Sequence, residues 1–583
     1  MAGLTYTTDS FPHSDKTLNG GLNSTAGPLT LKNNESSDLQ NVDFNKFGSV
    51  LKRNGYAALN TATISFGTAS ITAFADGGTG YTQVTSAGHG LSNDDRVVIT
   101  GTTSYNGAWI ISSVATDTFE INMSYVADDA TGDWNLTHPL NGLHWYEYDS
   151  SGTTTMLLMC TLGSRVYKMD ALDGTWDNIT GSITITAGNH TDYANFLNEV
   201  YGTNGADPPW KWTGSGNCAA MTVPTDLTDA KYVAEFNNRL FLANVIVDGT
   251  AHPSRIYWSN NKTTDTWTAT DYIEVSKNDG QEITRIKVLG DRLVIYKTRS
   301  IYNLFFTGDA DIPFVLPGGG KSNSAVGCVA PFSVQEVNNG HVFMSYDGFY
   351  FYDGANSYKI SDKINTTITG YNKSKLVNAR SWIQKNKNHY CCILTKSGST
   401  ENDEVVVWNW FLNAWSIYTN MNISAATTVY VDGTDERPYW GDYFGFVYRG
   451  DYGTNDYPLN VASLIAAHYY TNWKHYEDLM DKKGIAHMAL YHQIASNNLT
   501  LSYSYDFEGG DTYSKTVDMS GGGDVFDTGV FDTATFAKEG GNVQRIDLTG
   551  RGRVVRFKFS NETADETFQI DGFGTMPHLE TVA

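Results

Sequence analysis

The chain has 583 residues, more than one hydrophobic core holds, and this length points to about three to five domains. Charged residues make up 18% and aromatics 13%, which excludes disorder over most of the length, because so many aromatic side chains bury enough apolar surface to offset the entropy of ordering. The net charge of −23, from 40 basic and 63 acidic side chains, excludes a protein that grips nucleic acid through a basic footprint. It does not exclude one that nucleic acid slides past.

A chain rich in Tyr, Thr, Asn and Gly and poor in Lys and Glu reads as mostly β-structure. The N-terminal stretch has no basic start followed by an apolar run, so no secretory signal is expected. No run of about 18 apolar residues occurs, so no membrane insertion is expected either. The five cysteines, Cys160, Cys218, Cys328, Cys391 and Cys392, include no Cys-x-x-Cys pair. Neighbours on a strand point to opposite faces, so Cys391 and Cys392 are read, with the others, as reduced core residues of a protein made in a cytosol.

Residues 1–62 are turn-rich and read as an N-terminal segment that packs on the rest of the chain. Residues 63–140 alternate with period two, as in Arg96-Val97-Val98-Ile99 and Thr118-Phe119-Glu120-Ile121. Turns such as Asn106-Gly107 separate these pieces, which predicts an inserted small β-module. From 141 to 460 a unit recurs: a polar turn pair, a short apolar strand, then a strand rich in Trp or Tyr. Asn237-Asn238 before Arg239-Leu240-Phe241-Leu242, Gly290-Asp291 before Arg292-Leu293-Val294-Ile295 and Asn339-Gly340 before His341-Val342-Phe343 show it. The turn pairs recur at roughly 40 to 50 residues, the length of one four-stranded blade. One blade exposes both faces and must stack on neighbours, so the expected fold is all-β, with a β-propeller of about six or seven blades. A run of separate sandwiches is the alternative. Residues 461–583 change pattern. Ser463 to Tyr476 could be a short helix or a long strand. Arg553-Val554-Val555-Arg556-Phe557-Lys558-Phe559 puts Val555, Phe557 and Phe559 on one face, so a C-terminal antiparallel β-sandwich is expected.

Motifs for chemistry are weak. Gly318-Gly319-Gly320-Lys321-Ser322 hints at a phosphate loop, but Val315 stands where the motif needs its first glycine. An inter-blade loop is the better reading. His475, Glu477, Asp478 and Asp481 lack the spacing that brings two imidazoles onto one helical face. His89, between Gly88 and Gly90, reads as a turn residue. Paired carboxylates for glycoside hydrolysis must sit about 5–9.5 Å apart in space, which linear spacing does not reveal. No Gly-x-Ser-x-Gly elbow is present. No catalytic, cofactor-binding or metal-binding residue is therefore assigned, and a non-enzymatic protein without cofactors is expected. A tandem repeat follows Gly521-Gly522-Gly523: Phe526-Asp527-Thr528, then Phe531-Asp532-Thr533. Phe526, Asp527, Phe531 and Asp532 combine apolar anchors with acceptors, and they are the candidate subunit-contact loop. The alternative is a hairpin whose Phe residues fold back on their own domain.

Two groups of residues carry a family resemblance. Gly20-Gly21-Leu22-Asn23, Pro28-Leu29, Leu39-Gln40-Asn41-Val42-Asp43 and Gly48-x-x-x-Lys52-Arg53-x-Gly55-Tyr56 resemble the start of tail nozzle proteins of short-tailed bacteriophages, also called tail tubular protein B or packaged-DNA stabilisation proteins. Gly88-His89-Gly90-Leu91, Asp95-x-Val97-x-Ile99-x-Gly101, Tyr105-Asn106-Gly107 and Asp117-Thr118-Phe119-x-Ile121 resemble the small module named after the first catalytic-cysteine half-domain of ubiquitin-activating enzymes. This module holds no cysteine here, so the resemblance carries a fold and no thiol chemistry. The Phe-Asp repeat is similar to aromatic-Asp repeats near the C-terminus of such phage proteins, which more often use Trp.

The resemblance implies a structural virion protein, made in the host cytoplasm and located in the tail. It implies a homo-oligomeric ring, typically a hexamer, below a head-to-tail adaptor protein. Such a ring extends the channel, retains packaged DNA and lets genomic DNA pass without sequence-specific binding. Tail fibre, spike or needle proteins attach to it. The alternative is a receptor-binding or polysaccharide-degrading propeller of a phage fibre.

Overall fold

The computed structural model describes residues 12–129, 131–150, 152–170, 172–263, 266–431, 435–520 and 541–579. Seven four-stranded antiparallel sheets follow one another in chain order from Leu140 to Gly450. Their first strands are Leu140–Ser150, Asp192–Phe196, Leu227–Phe236, Ile283–Leu289, Gln335–Val337, Arg380–Gln384 and Ala425–Val431. Turn chemistry explains why the hairpins form. Leu197-Asn198, Asn237-Asn238 and Asn338-Asn339 hold both central residues at positive φ, the conformation of the two-residue turn whose twist matches the flanking strands.

The sheets stack as blades around a ring. An apolar core fills the space between each successive pair, and the one between the fifth and sixth blades is continuous with the core of the C-terminal region. Trp210, Trp212, Val200 and Tyr146 lie between the first two blades, and Phe241, Trp258, Leu293 and Phe314 between the third and fourth. The first strand of the seventh sheet returns to pack beside Leu140–Ser150, and Val429 and Tyr439 share a core with Leu158 and Leu162. The ring therefore closes, which protects every blade face. Cys391 and Cys392 illustrate the packing. Cys391 belongs to the core toward the seventh blade and Cys392 to the core toward the fifth. All five cysteines are buried and unpaired.

The seventh sheet is completed from far away in sequence. Its outer strand is Tyr56–Ala58, paired antiparallel with Tyr448–Gly450. The same N-terminal stretch threads the C-terminal region. Leu39–Gln40 pairs with Tyr469 and His468 at the edge of a five-stranded sheet. Val42–Phe44, Val50–Lys52 and His13–Asp15 join a seven-stranded sheet with Lys483–Gln493 and Gln569–Leu579. Buried Leu501, Phe557, Phe559, Met488, Ile570 and Phe573 share the core of this region. Val555, Phe557 and Phe559 point inward while Arg556 and Lys558 lie at its margin, as the alternation requires. Residues 463–476 form a short strand at Ala467–Tyr470 rather than a helix.

The inserted module spans two sheets between Gly67 and Thr137 around its own core of Val84, Val97, Ile99, Phe119 and Trp134. Phe74 stacks on Tyr105 with centroids 4.0 Å apart. Arg96 pairs with Glu401 on the propeller, and Val98 enters the core between the sixth and seventh blades. No helix among the described residues is long and apolar enough to cross a membrane.

Candidate functional site

Phe526, Asp527, Phe531 and Asp532 lie outside the described residues. Their flanks are placed: Tyr513–Asp518 is the edge strand of the five-stranded C-terminal sheet, and Gly541–Asp547 is the edge strand of the seven-stranded one.

The opening residues that carry the family resemblance meet at the junction of propeller and C-terminal region. Arg53 donates from Nη1 and Nη2 to Asp456 Oδ1 and Oδ2 at 2.8 and 2.6 Å. Its Nε donates to Asn41 Oδ1, and its remaining N–H groups reach the Asn54 and Thr419 carbonyls. All five guanidinium donors are therefore used, with Arg53 3% and Asp456 0% exposed at the side chain. Lys52 Nζ donates to Asn561 Oδ1 at 2.7 Å, and burial pushes its ammonium down to about 8. Gly55 packs so closely on the loop that follows Val447–Gly450 that a Cβ there would lie 1.7 Å from the Asn455 carbonyl oxygen. Gly21, at φ +76°, similarly leaves no room beside the Trp415 amide. Tyr56 donates to the Asn420 carbonyl and packs edge-on against Trp440 and Tyr448.

The junction also holds charged groups that set its acid response. Lys387 bridges Asp43 and Asp451 at 3.2 and 2.5 Å, and Lys474 pairs with buried Asp15 at 2.9 Å. Burial pushes the Asp15 carboxyl up, but bonds from His13 and Lys474 outweigh it and hold it below the ordinary 3.8. Burial of Asp43 is likewise outweighed by Lys387 and His389. Folded-state values below the unfolded ones mean that the unfolded chain binds more protons in acid. The stabilisation is present above about pH 4 and is lost as pH falls through the folded-state values. We expect the urea midpoint to fall between pH 5 and pH 3. Asp43→Asn is expected to be weaker than the parent at pH 7 and to show a shallower acid dependence; equal slopes would remove Asp43 from this account.

A polar cavity lies on the propeller axis. First strands of several blades line a cavity of about 430 Å³ that includes His144, Asp192, Arg285, Lys287, Arg380 and Lys385. Arg285 pairs with Asp192 across the ring at 2.6 Å. Phe332 is flanked by the Arg285 and Arg380 guanidinium groups, 5.1 and 4.6 Å from its ring centroid. Burial lowers Arg380 to about 10 and Lys287 to about 8, with the Arg285 charge adding to both. His190, pushed to about 3 by burial and by Arg380, stays neutral. Sequence reading missed this site because its residues come from four different blades. The available signal was local: Arg285 and Lys287 interrupt the apolar strand Ile283–Leu289 on one face.

Other candidates have structural duties. His89 Nδ1 accepts from the Leu91 amide and Nε2 reaches the Thr118 carbonyl. Pro317–Gly319 is a short turn between the fourth and fifth blades, and Lys321 bridges to Tyr302 without a following helix. Asp442 is pushed up to about 6 by burial, yet its carboxylate accepts from the Phe444 and Phe446 amides and the Tyr448 hydroxyl. It shapes a hairpin. His475 Nδ1 accepts from the Glu477 amide, and Asp478 from the Met480 and Asp481 amides. Among the described residues no group of three His, Cys, Asp or Glu could hold a metal ion.

No family model and no curated protein matches the chain. Among solved structures, the computationally designed Ika8 protein is 11% identical, with a TM-score of 0.32, and the match covers 67% of this chain and 99% of that one. A chain of the mitotic checkpoint complex is 10% identical at a TM-score of 0.33, covering 53% and 88%. PorZ, a surface component of the type-IX secretion system of Porphyromonas gingivalis, is 9% identical at 0.33, covering 54% and 37%. None of the three is named as a phage protein, and likeness at this level carries no functional inference.

Proposed function

We propose that this chain is a subunit of a phage tail nozzle: a ring, typically of six copies, that extends a head-to-tail channel, retains packaged DNA and lets it pass at ejection. The observation that carries the reading is the use made of the opening segment. Residues that resemble the nozzle family's start, Asn41, Asp43, Lys52, Arg53, Gly55 and Tyr56, are those that tie the propeller to the C-terminal region. A family signature located at a structural seam favours a shared architecture, because each residue type there answers a local packing need.

The physics of the surface supports the role. A chain of charge −23 presents a field that salt confines to about 8–10 Å. A negative wall repels DNA only at close approach, so it prevents sticking without blocking passage. A closed propeller has short, protected strand edges and suits a load-bearing tube. A cyclic ring uses two different complementary patches on each copy, and the Phe-Asp repeat is offered as part of one. An adaptor above and fibre, spike or needle proteins below are the partners this reading requires.

Negative-stain microscopy of the purified chain, alone and with its adaptor, is expected to show a hollow symmetric ring. Phe526→Ala with Phe531→Ala is expected to reduce ring formation while leaving the melting temperature near that of the parent. A strictly monomeric particle that never joins an adaptor would sink the proposal. Melting that collapses with unchanged assembly per folded chain would make those two residues ordinary core.

A further inference from the structure

The axial cavity is cationic in a strongly acidic protein, and its cations are not all neutralised. Arg285 is paired with Asp192, and Lys385 with Glu436 at 3.9 Å. Among the described residues Arg380 and Lys287 have no carboxylate within ion-pair distance; Glu336, also on the wall, is exposed. Arg380 is 4% exposed. Its Nε and Nη1 donate to the Ser424 and Ala379 carbonyls, but its Nη2 is buried without a hydrogen-bond partner. Arg285 Nε is in the same condition. Lys287 Nζ makes only long contacts, 3.3 and 3.4 Å, to the Val334 carbonyl and Gln335 Oε1.

A buried guanidinium donor left unmade is costly, more so than a neutral one. The position is also not one that sheet architecture demands, since most inward positions in this ring are apolar or neutral. Arginine combined with lysine at one cavity is the donor set that suits a multivalent oxyanion: the planar fork gives direction and the ammonium adds charge. The volume of about 430 Å³ lies in the range of small-molecule sites, about 300–1,000 Å³. A low-dielectric wall strengthens such contacts relative to water.

We propose that the propeller axis is a binding site for a phosphate-type oxyanion, held by Arg380 and Lys287 with Arg285 beside them and Phe332 as an apolar wall. The anion supplies the missing acceptor for Arg380 Nη2 and offsets the mutual repulsion of the three cations. Occupancy therefore fastens together the first strands of the fourth and sixth blades, which lie on different parts of the ring. This inference is independent of the nozzle reading.

The test uses the full chain in chloride buffer, titrated with inorganic phosphate, with adenosine monophosphate, or with acetate at matched ionic strength. Calorimetry is expected to show one phosphate site per chain and a phosphate-dependent rise in melting temperature. Lys287→Met keeps the side chain's length, relieves the burial of an ammonium and is expected to fold. It should weaken phosphate binding by about tenfold, the loss of one charge-assisted contact. Arg380→Lys keeps the charge without the fork and should also weaken it. Tighter binding of the nucleotide than of phosphate would support a phosphate carried on a small molecule, and the reverse would support the free ion. Equal shifts in phosphate, acetate and chloride, or full phosphate binding in Lys287→Met, would overturn the site.

Discussion

Arg53→Met is expected to lower the stability of the junction by about 3–5 kcal/mol, the usual cost of removing one partner from a buried ion pair. Asp456, with no exposed side-chain surface, would keep only Asn420 Nδ2 at 3.2 Å as a side-chain donor. The Thr419 carbonyl would lose the Arg53 donor, and the Asn41 side-chain oxygen would keep only the Thr419 amide. Replacing both charges, as Arg53→Met with Asp456→Leu, should be less harmful than Arg53→Met alone, because it leaves no uncompensated carboxylate. Scanning calorimetry of the full chain checks this. A single variant that melts with the parent would mean that Asp456 reaches water once its partner is gone.

Gly55→Ala is expected to cost about 3 kcal/mol or more, the upper range for forcing extra volume into a packed region. The new methyl would lie 1.7 Å from the Asn455 carbonyl oxygen and 2.4 Å from its carbon. Backbone cannot rotate away as a side chain can, so one of the two backbone segments must move. The amide of Tyr56 bonds that same carbonyl at 3.2 Å, and the amide of Gly55 bonds Gly453. Displacement therefore pulls on the outer strand of the seventh blade and on Asp456 next in line. Because the two sites share this stretch, Gly55→Ala combined with Arg53→Met should cost less than the two separate losses together. Additive losses would show that the methyl is accommodated without moving Asp456.

The repeat and its turns were readable in the sequence because they are local. Asn237-Asn238 announces a tight hairpin whatever lies around it, since few other residues tolerate left-handed backbone. The alternation of Val555, Phe557 and Phe559 announces a half-buried strand in the same way. Tyr56–Ala58 was not readable as a blade strand. Three residues carry no periodicity, and the partner strand sits at Tyr448–Gly450, so only tertiary structure supplies the pairing. The axial site was hidden for a related reason. Asp192, Arg285 and Arg380 belong to three blades, and each alone looks like an ordinary strand residue. The Phe-Asp repeat, conspicuous as sequence, falls outside the described residues.

The distant origin of the seventh blade's outer strand orders events during synthesis. Residues 56–58 leave the ribosome long before Tyr448 exists, so the early strand waits without its mate while six blades accumulate. Until then the growing stack has two raw ends, each exposing an apolar face open to mispairing with a neighbouring nascent chain. Completion is a single late event that couples head and tail of the polypeptide. Such non-local pairing is slow to form. Once made, it is hard to undo piecemeal, because no terminal blade remains from which unravelling can start.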